Sequence, residues 1–394
     1  MINPESLALG TKRNTIMELA DYGRSRAAVI GKENVFDFSI GNPSVPAPPE
    51  VNAAILDIVQ NMDSLAVHSY TSTMGDMKTR TAIAEDMRVR FACDAKPEEL
   101  LLCCGAAPEV AAVCKALTTP GSEILVFAPY FPEYKPYVEQ AGSVFRVVPA
   151  DEPHFQMNFT ALEAMLTPNT SAVIVNNPNN PVGNVYSAQT LKKLADLLER
   201  KSAEFGHRIY IIADEPYREL VYGDAVVSFI PHIYPHTVVC YSYSKSLSLP
   251  GERMGYIYVP TAAEQGRDLY HAIIGAARAM GHVCAPSLMQ LVLQRCAHLK
   301  PDLTVYDRNR STLLEALRAY GYEIVEPEGA FYLFLKAPCG DDRAFSQKAM
   351  AKDLLLMPSS DFGWPGYLRL CYCVSYDTVV RSLPVFKALI EDDQ

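Results

Sequence analysis

The chain has 394 residues, 49% hydrophobic and 20% charged, with 35 Lys and Arg against 45 Asp and Glu for a net charge of −10. That length allows two or three cores, and the acidic balance disfavours nucleic acid or an anionic membrane surface as partner while leaving a small anionic substrate open. No apolar run reaches the ~18 residues that a membrane-spanning helix needs.

The opening residues, Met1 to Ser6, lack a basic stretch followed by an apolar one, so no secretory signal is expected and a cytoplasmic location is. Residues 1–14 read as an N-terminal arm. The Pro-rich segment Pro43–Pro49 reads as a link into a large domain, residues 50–284. Within it, short β-branched runs recur at Leu100–Cys104, Glu123–Ala128, Ser143–Val148, Ala172–Asn176, Arg208–Ala213, Thr237–Tyr241 and Gly255–Val259. Most are apolar on both faces, as strands of a buried parallel sheet should be. Helical patterns separate many of them, for example Ala188–Phe205 with leucines at 191, 194, 197 and 198. The expected fold class is therefore α/β, a mainly parallel central sheet flanked by helices. After a helical stretch opening at Pro286, Tyr322–Val325, Ala330–Leu335 and Tyr367–Tyr372 look like strands of a smaller α+β domain, built from residues 15–49 with 285–394. The ten cysteines lie mostly in apolar runs with no paired CxxC spacing, so reduced buried thiols are expected and no metal site is.

Four stretches at strand ends carry chemistry. Gly105-Ala106-Ala107 precedes a helical stretch expected near Pro108. Small residues at a helix start let backbone N–H groups approach a phosphate, though such a motif is common. Asn176-Asn177-Pro178-Asn179-Asn180-Pro181-Val182-Gly183 follows the next motif-bearing strand. It is either a plain turn-rich loop or the carrier of Asn180 as a hydrogen-bond donor. Asp214, in Ala213-Asp214-Glu215-Pro216-Tyr217, is a carboxylate ending an apolar strand, costly unless paired. A protonated ring nitrogen would pair with it, and Tyr217 could donate to a phenolic oxygen on the same ring. Helix capping or metal binding are the other uses of such an aspartate, and no histidine lies nearby for the latter. Last, Ser242-Tyr243-Ser244-Lys245 ends a strand and Arg253 follows eight positions after the lysine. A lysine that attacks an aldehyde must be unprotonated, and apolar surroundings or a nearby cation would lower its ~10.4 pKa. Ser242 and Arg253 suit a phosphate dianion.

In order and spacing, these stretches resemble the fold-type I pyridoxal-phosphate (PLP) aminotransferases, in the branch with bacterial aspartate and aromatic aminotransferases. The resemblance runs along nearly the whole chain. It implies PLP held on Lys245 as an internal aldimine, with Lys245 also moving the Cα proton. It implies Asp214 on the pyridine nitrogen, Tyr217 and Asn180 on the phenolic oxygen, and Ser242, Arg253, Ala106 and Ala107 on the phosphate. By the same resemblance Phe131 stacks on the ring and Tyr70 reaches the phosphate of a neighbouring subunit in a homodimer. Arg369 and Asn180 grip the substrate α-carboxylate, Gly41 lies beside the substrate, and Phe331 and Tyr332 approach the site. The implied reaction moves an amino group from an L-amino acid to a 2-oxo acid, aspartate and 2-oxoglutarate being one such pair. A PLP-dependent C–S lyase on the same scaffold is the alternative. A PLP-sensing regulator would need a DNA-binding module, for which an acidic chain that starts the aminotransferase pattern so early leaves little room. Two positions depart from the pattern. Val182 replaces a commoner threonine, and Ala107 stands where some aspartate enzymes place a lysine for the distal carboxylate. Arg278 is a looser candidate for that carboxylate, with a helix-surface arginine as the plainer reading.

Overall fold

The computed structural model describes residues 1–11 and 15–392. Residues 12–14 of the expected arm and 393–394 at the end of the expected small domain lie outside the described residues.

The seven runs of the central region all form strands: β1 (Leu100–Cys103), β2 (Glu123–Phe127), β3 (Val144–Val148), β4 (Thr170–Asn176), β5 (Tyr210–Asp214), β6 (Thr237–Ser242) and β7 (Gly255–Tyr258). They make one sheet in the order β1-β7-β6-β5-β4-β2-β3. Every neighbouring pair is parallel except those of β7, which runs antiparallel to both β1 and β6. Strand bounds shift by one or two residues from the sequence reading. β4 starts two residues early, and β5 starts two residues late, at Tyr210, where Arg208 turns to ion pairs with Glu199 and Glu264 instead of entering the sheet.

Period-2 alternation splits each central strand between two cores. Leu100, Leu102, Val173, Val175, Ile211, Ala213 and Val239 join one core with Leu191, Leu194 and Leu198 of helix Ala188–Phe205. Leu101, Cys103, Ala172, Ile174, Ile212, Val238 and Cys240 join the other, with Val110 and Val113 of helix Ala106–Ala116 and Leu269 and Ile273 of helix Gly266–Ala279. Helices thus cover both faces, as a mainly parallel sheet requires. Each fully buried aliphatic side chain contributes about 1.5–3 kcal/mol. Helix Ala188–Phe205 falls where its leucine spacing put it. Ser187 caps its first turn by accepting from Thr190 N, and Gly206 ends it at φ 76.

A second sheet orders four strands β8-β9-β11-β10, where β8 is Ile324–Val325, β9 Tyr332–Lys336, β10 Met357–Pro358 and β11 Tyr367–Cys371. β9 starts two residues later than the pattern suggested, since Ala330 turns the chain at φ 58. β10 was too short to show in the sequence. Its core joins Leu333, Leu335, Leu368 and Leu370 to Leu313 and Leu317 of helix Thr304–Tyr320 and Phe386 and Leu389 of helix Tyr376–Glu391.

Among the described residues no helix is long and apolar enough to cross a membrane. All ten cysteines are free thiols, and six are buried. Cys339 departs from the expected burial because it lies in an exposed turn after β9.

Candidate active site

The carboxyl ends of β4, β5 and β6 deliver Asn176, Asp214 and Ser242 to one edge of the sheet. Open α/β sheets bind ligands at that edge. A cavity of about 290 Å³ lies there. It collects twelve of the sequence-derived site residues: Gly41, Ala106, Ala107, Phe131, Asn180, Asp214, Tyr217, Ser242, Lys245, Arg253, Tyr332 and Arg369. Tyr70 is not among them. It is 88% exposed and does not line its own chain's cavity. Arg278, near the end of helix Gly266–Ala279, is likewise exposed and outside this cavity.

Lys245 stands on the helical turn Tyr243–Ser246 that follows β6. Its Nζ donates to Gly41 O at 2.6 Å and lies 5.4 Å from the centre of the Phe331 ring. Burial pushes its amine below the usual lysine range, and the guanidinium groups of Arg369 and Arg253 push the same way. The amine is therefore easier to deprotonate than a surface lysine, as a nucleophile must be.

Asp214 is buried at the end of β5. Tyr134 Oη donates to its Oδ2, and Asn176 Nδ2 approaches the same oxygen at 3.4 Å. The other oxygen, Oδ1, has no hydrogen-bond partner. Burial raises this carboxyl to about 6, against the lowering effect of Tyr134. A buried oxygen without a donor is costly, so the chain leaves here an acceptor suited to a positively charged N–H.

Across the cavity, Arg369 projects from β11 beneath the Tyr332 and Phe362 rings. Its Nη1 donates to Asn180 Oδ1 at 3.1 Å and its Nη2 to Ser39 O at 2.5 Å, while Nε is buried without a partner. Because Asn180 gives its oxygen to Arg369, its amide N–H groups remain for the cavity. Tyr217 and Tyr332 bring their hydroxyls within 2.6 Å of each other.

The opposite end suits an anion. Helix Ala106–Ala116 begins at Ala106, two residues earlier than expected, so Ala106 and Ala107 form its first turn and offer unpaired N–H groups. Pro108 is tolerated there because a first-turn residue donates no helical bond. Gly105 precedes them at φ 87, and a Cβ on it would meet Arg253 Nη2 at 2.8 Å. Arg253 Nη1 donates to Pro250 O at 3.0 Å and Ser244 Oγ at 3.4 Å, and Ser242 Oγ lies 2.7 Å from Ser244 Oγ. Two hydroxyls, one guanidinium and a helix start thus surround one end of the cavity, where a phosphate dianion fits.

Sequence reasoning missed Tyr134, Asn176 and Glu109. Tyr134 lies three residues beyond Phe131, within reach of a motif already singled out. Glu109, in the first turn of helix Ala106–Ala116, gave no signal. It is fully buried, and neither carboxyl oxygen has a hydrogen-bond partner. A Cβ on Gly255 would collide with its Oε1. Burial, then the charge of Asp214, push this acid well above the carboxylate range.

Fold and cavity together define an α/β enzyme whose deprotonatable lysine, lone carboxylate oxygen and arginines converge on a group with both anionic and cationic parts. Residues 33–383 match the family model for aminotransferase class I and II. The chain is 29% identical to an aspartate aminotransferase of Thermotoga maritima, over 91% of this chain and 92% of that one. It is 27% identical to a probable N-acetyl-LL-diaminopimelate aminotransferase of Bacillus subtilis, over 93% and 92%. A crystal structure of an aminotransferase from Eubacterium rectale superposes with a TM-score of 0.98 at 47% identity, covering 100% of this chain and 99% of that one. The chain belongs to aminotransferase class I and II, the fold-type I PLP-dependent aminotransferases. It is a transferase, and the expected α/β class with a mainly parallel central sheet holds.

Proposed function

We propose that this chain transfers the amino group of an L-amino acid to a 2-oxo acid with PLP carried covalently on Lys245. The observation that carries the reading is one cavity lined by Asp214, Lys245 and Arg369, with Asp214 Oδ1 and Arg369 Nε both buried and unpartnered. When bound, PLP supplies an electron-withdrawing ring that stabilises negative charge at the substrate Cα. The residues of the chain do the rest. Asp214 accepts the ring N–H and keeps it protonated. Ser242, Arg253 and the N–H groups of Ala106 and Ala107 hold the phosphate, and Phe131 covers the ring. Tyr217 and Asn180 donate to the phenolic oxygen. Arg369 binds the α-carboxylate as a bidentate clamp. Gly41 lies beside the substrate, since a Cβ there would meet Tyr332 Oη at 2.7 Å and narrow the cavity. Lys245, when its amine is free, takes the Cα proton and returns it at the carbon on the far side of the amino nitrogen, a general acid–base role that arginine could not fill.

The same reading makes the enzyme a homodimer in which the exposed Tyr70 completes the neighbouring phosphate site. It divides the chain into an arm (1–14), a large domain (50–284) and a small domain (15–49 with 285–394). Two sheets with separate cores support the division, but helix Ser287–Cys296 puts Met289, Val292 and Leu293 into the core of the larger sheet, so the boundary belongs after that helix. Ten free thiols support a reducing, cytoplasmic location. Aspartate with 2-oxoglutarate is the first pair to assay, from the similarity to an aspartate aminotransferase.

Borohydride reduction of the PLP-loaded protein, followed by peptide mapping, should label Lys245; label on another lysine refutes the assignment. Amino transfer that depends on an added 2-oxo acid is the expected activity. Release of pyruvate and ammonia from cystathionine without such transfer would show a C–S lyase instead.

A further inference from the structure

Tyr217 and Tyr332 are 5% and 2% exposed, with hydroxyl oxygens 2.6 Å apart, and either can be the donor. Each hydroxyl has one proton, so the direction of that bond matters. If Tyr217 donates to Tyr332, it shows the cavity only lone pairs. If Tyr332 donates to Tyr217, the Tyr217 proton is free to point into the cavity.

The surroundings of Tyr332 hold its hydroxyl in place. Its ring meets that of Tyr217 edge to face at 5.5 Å and that of Phe331 at 5.0 Å, and the Arg369 guanidinium lies 4.9 Å from its centre. Gly41 closes over the hydroxyl, where even a Cβ would come within 2.7 Å. Among the described residues the Tyr332 hydroxyl has no hydrogen bond other than that to Tyr217. Its proton therefore has one protein acceptor, the Tyr217 oxygen.

We propose that Tyr332 is a positioning residue whose hydroxyl, by donating to Tyr217, turns the Tyr217 proton into the cavity toward an anionic phenolic oxygen of the ligand. The proposal rests on the cofactor reading above. The chain Tyr332 O–H to Tyr217 O–H to phenolic oxygen is cooperative, since a hydroxyl that accepts a bond becomes a stronger donor. Tyr332 thus acts on the ligand's charge without touching it.

The test uses the PLP-loaded enzyme and the pH midpoint of the visible absorption change of the Lys245-bound cofactor. Removing the direct donor with Tyr217→Phe should raise the midpoint by about one unit, because the phenolic anion loses a charge-assisted bond. Tyr332→Phe should raise it by a fraction of that, about 0.2–0.5 unit. The double variant should match Tyr217→Phe alone, because Tyr332 acts only through Tyr217. An unmoved midpoint in Tyr332→Phe, or an equal extra shift in the Tyr217→Phe background, overturns the proposal. A wild-type chain that shows no visible band with PLP overturns the cofactor reading and this proposal with it.

Discussion

Replacing Glu109 with glutamine should make the protein more stable, and increasingly so as pH rises. The carboxyl is fully buried; neither oxygen makes a well-formed hydrogen bond, and the nearby Tyr241 backbone lowers its pKa less than burial raises it. Holding it neutral at pH 7 against an ordinary carboxylate pKa costs roughly 3–4 kcal/mol. Burying it charged and unpaired costs more, several kcal/mol even after relaxation. The neutral form wins, in agreement with its raised pKa. The unfolded chain ionises this acid above pH ~4.5 while the folded chain keeps its proton, so folding is progressively less favourable as pH rises. The loss is fully absent below the unfolded pKa and reaches its maximum above the folded one. Each pH unit between the unfolded and folded pKa adds roughly 1 kcal/mol, so the loss between pH 5.5 and 7.5 is at most about 3 kcal/mol. Glutamine keeps the shape and removes the titration. Asp214 and the other acids are present in both chains, so they largely cancel in the difference. Denaturant unfolding of wild type and Glu109→Gln, at fixed protein concentration and at both pH values, should show the variant's advantage growing by up to that amount. A stability difference that is the same at both pH values refutes the neutral buried acid, and one that shrinks with pH means Glu109 is ionised in the fold.

Two further outcomes follow from the cavity. Asp214→Asn should still bind PLP, because the phosphate contacts remain, yet slow Cα-proton removal by orders of magnitude, since an amide cannot hold the ring nitrogen protonated. Single-turnover kinetics near the wild-type rate would disprove that role. Mixing Tyr70→Ala and Lys245→Ala subunits should restore activity, because both defects can fall in one composite site; no recovery after verified subunit exchange would mean that Tyr70 serves its own chain.

Much of this site could be read from the sequence because its residues end apolar strands. Strand ends are visible as the last members of β-branched runs, and Asp214, Asn176 to Asn180 and Ser242 to Lys245 all sit at such ends. The alternation that sorts Leu100 from Leu101 and Val173 from Ala172 left no mark in the sequence, because these strands are apolar on both faces. Three further kinds of feature were not visible. Strand β10 has two residues, too few for any period to show. The start of helix Ala106–Ala116 was placed late because Pro108 looks like a boundary, whereas a proline in a first turn costs nothing. Tyr134 and Glu109 owe their importance to neighbours far away in the chain, Asp214 and Gly255, and the bond of Tyr332, itself expected near the site, to Tyr217 is equally remote. No local pattern reports a contact across eighty or more positions.

Strand β7 has a consequence for how this site could be built or moved. It runs against its neighbours, so it begins at the edge where β6 ends. The chain can therefore leave Lys245, turn once and reach Arg253 eight positions later at the same edge. A parallel strand in that place would need a crossover of about a dozen residues or more, and its first residues would lie at the far edge. The lysine and the phosphate-side arginine thus form one short cassette, framed by hydrogen-bonded strands on both sides. A graft of Ser242–Arg253 into another sheet would carry both groups in their mutual geometry, provided that the acceptor sheet also offers a gap for an antiparallel strand.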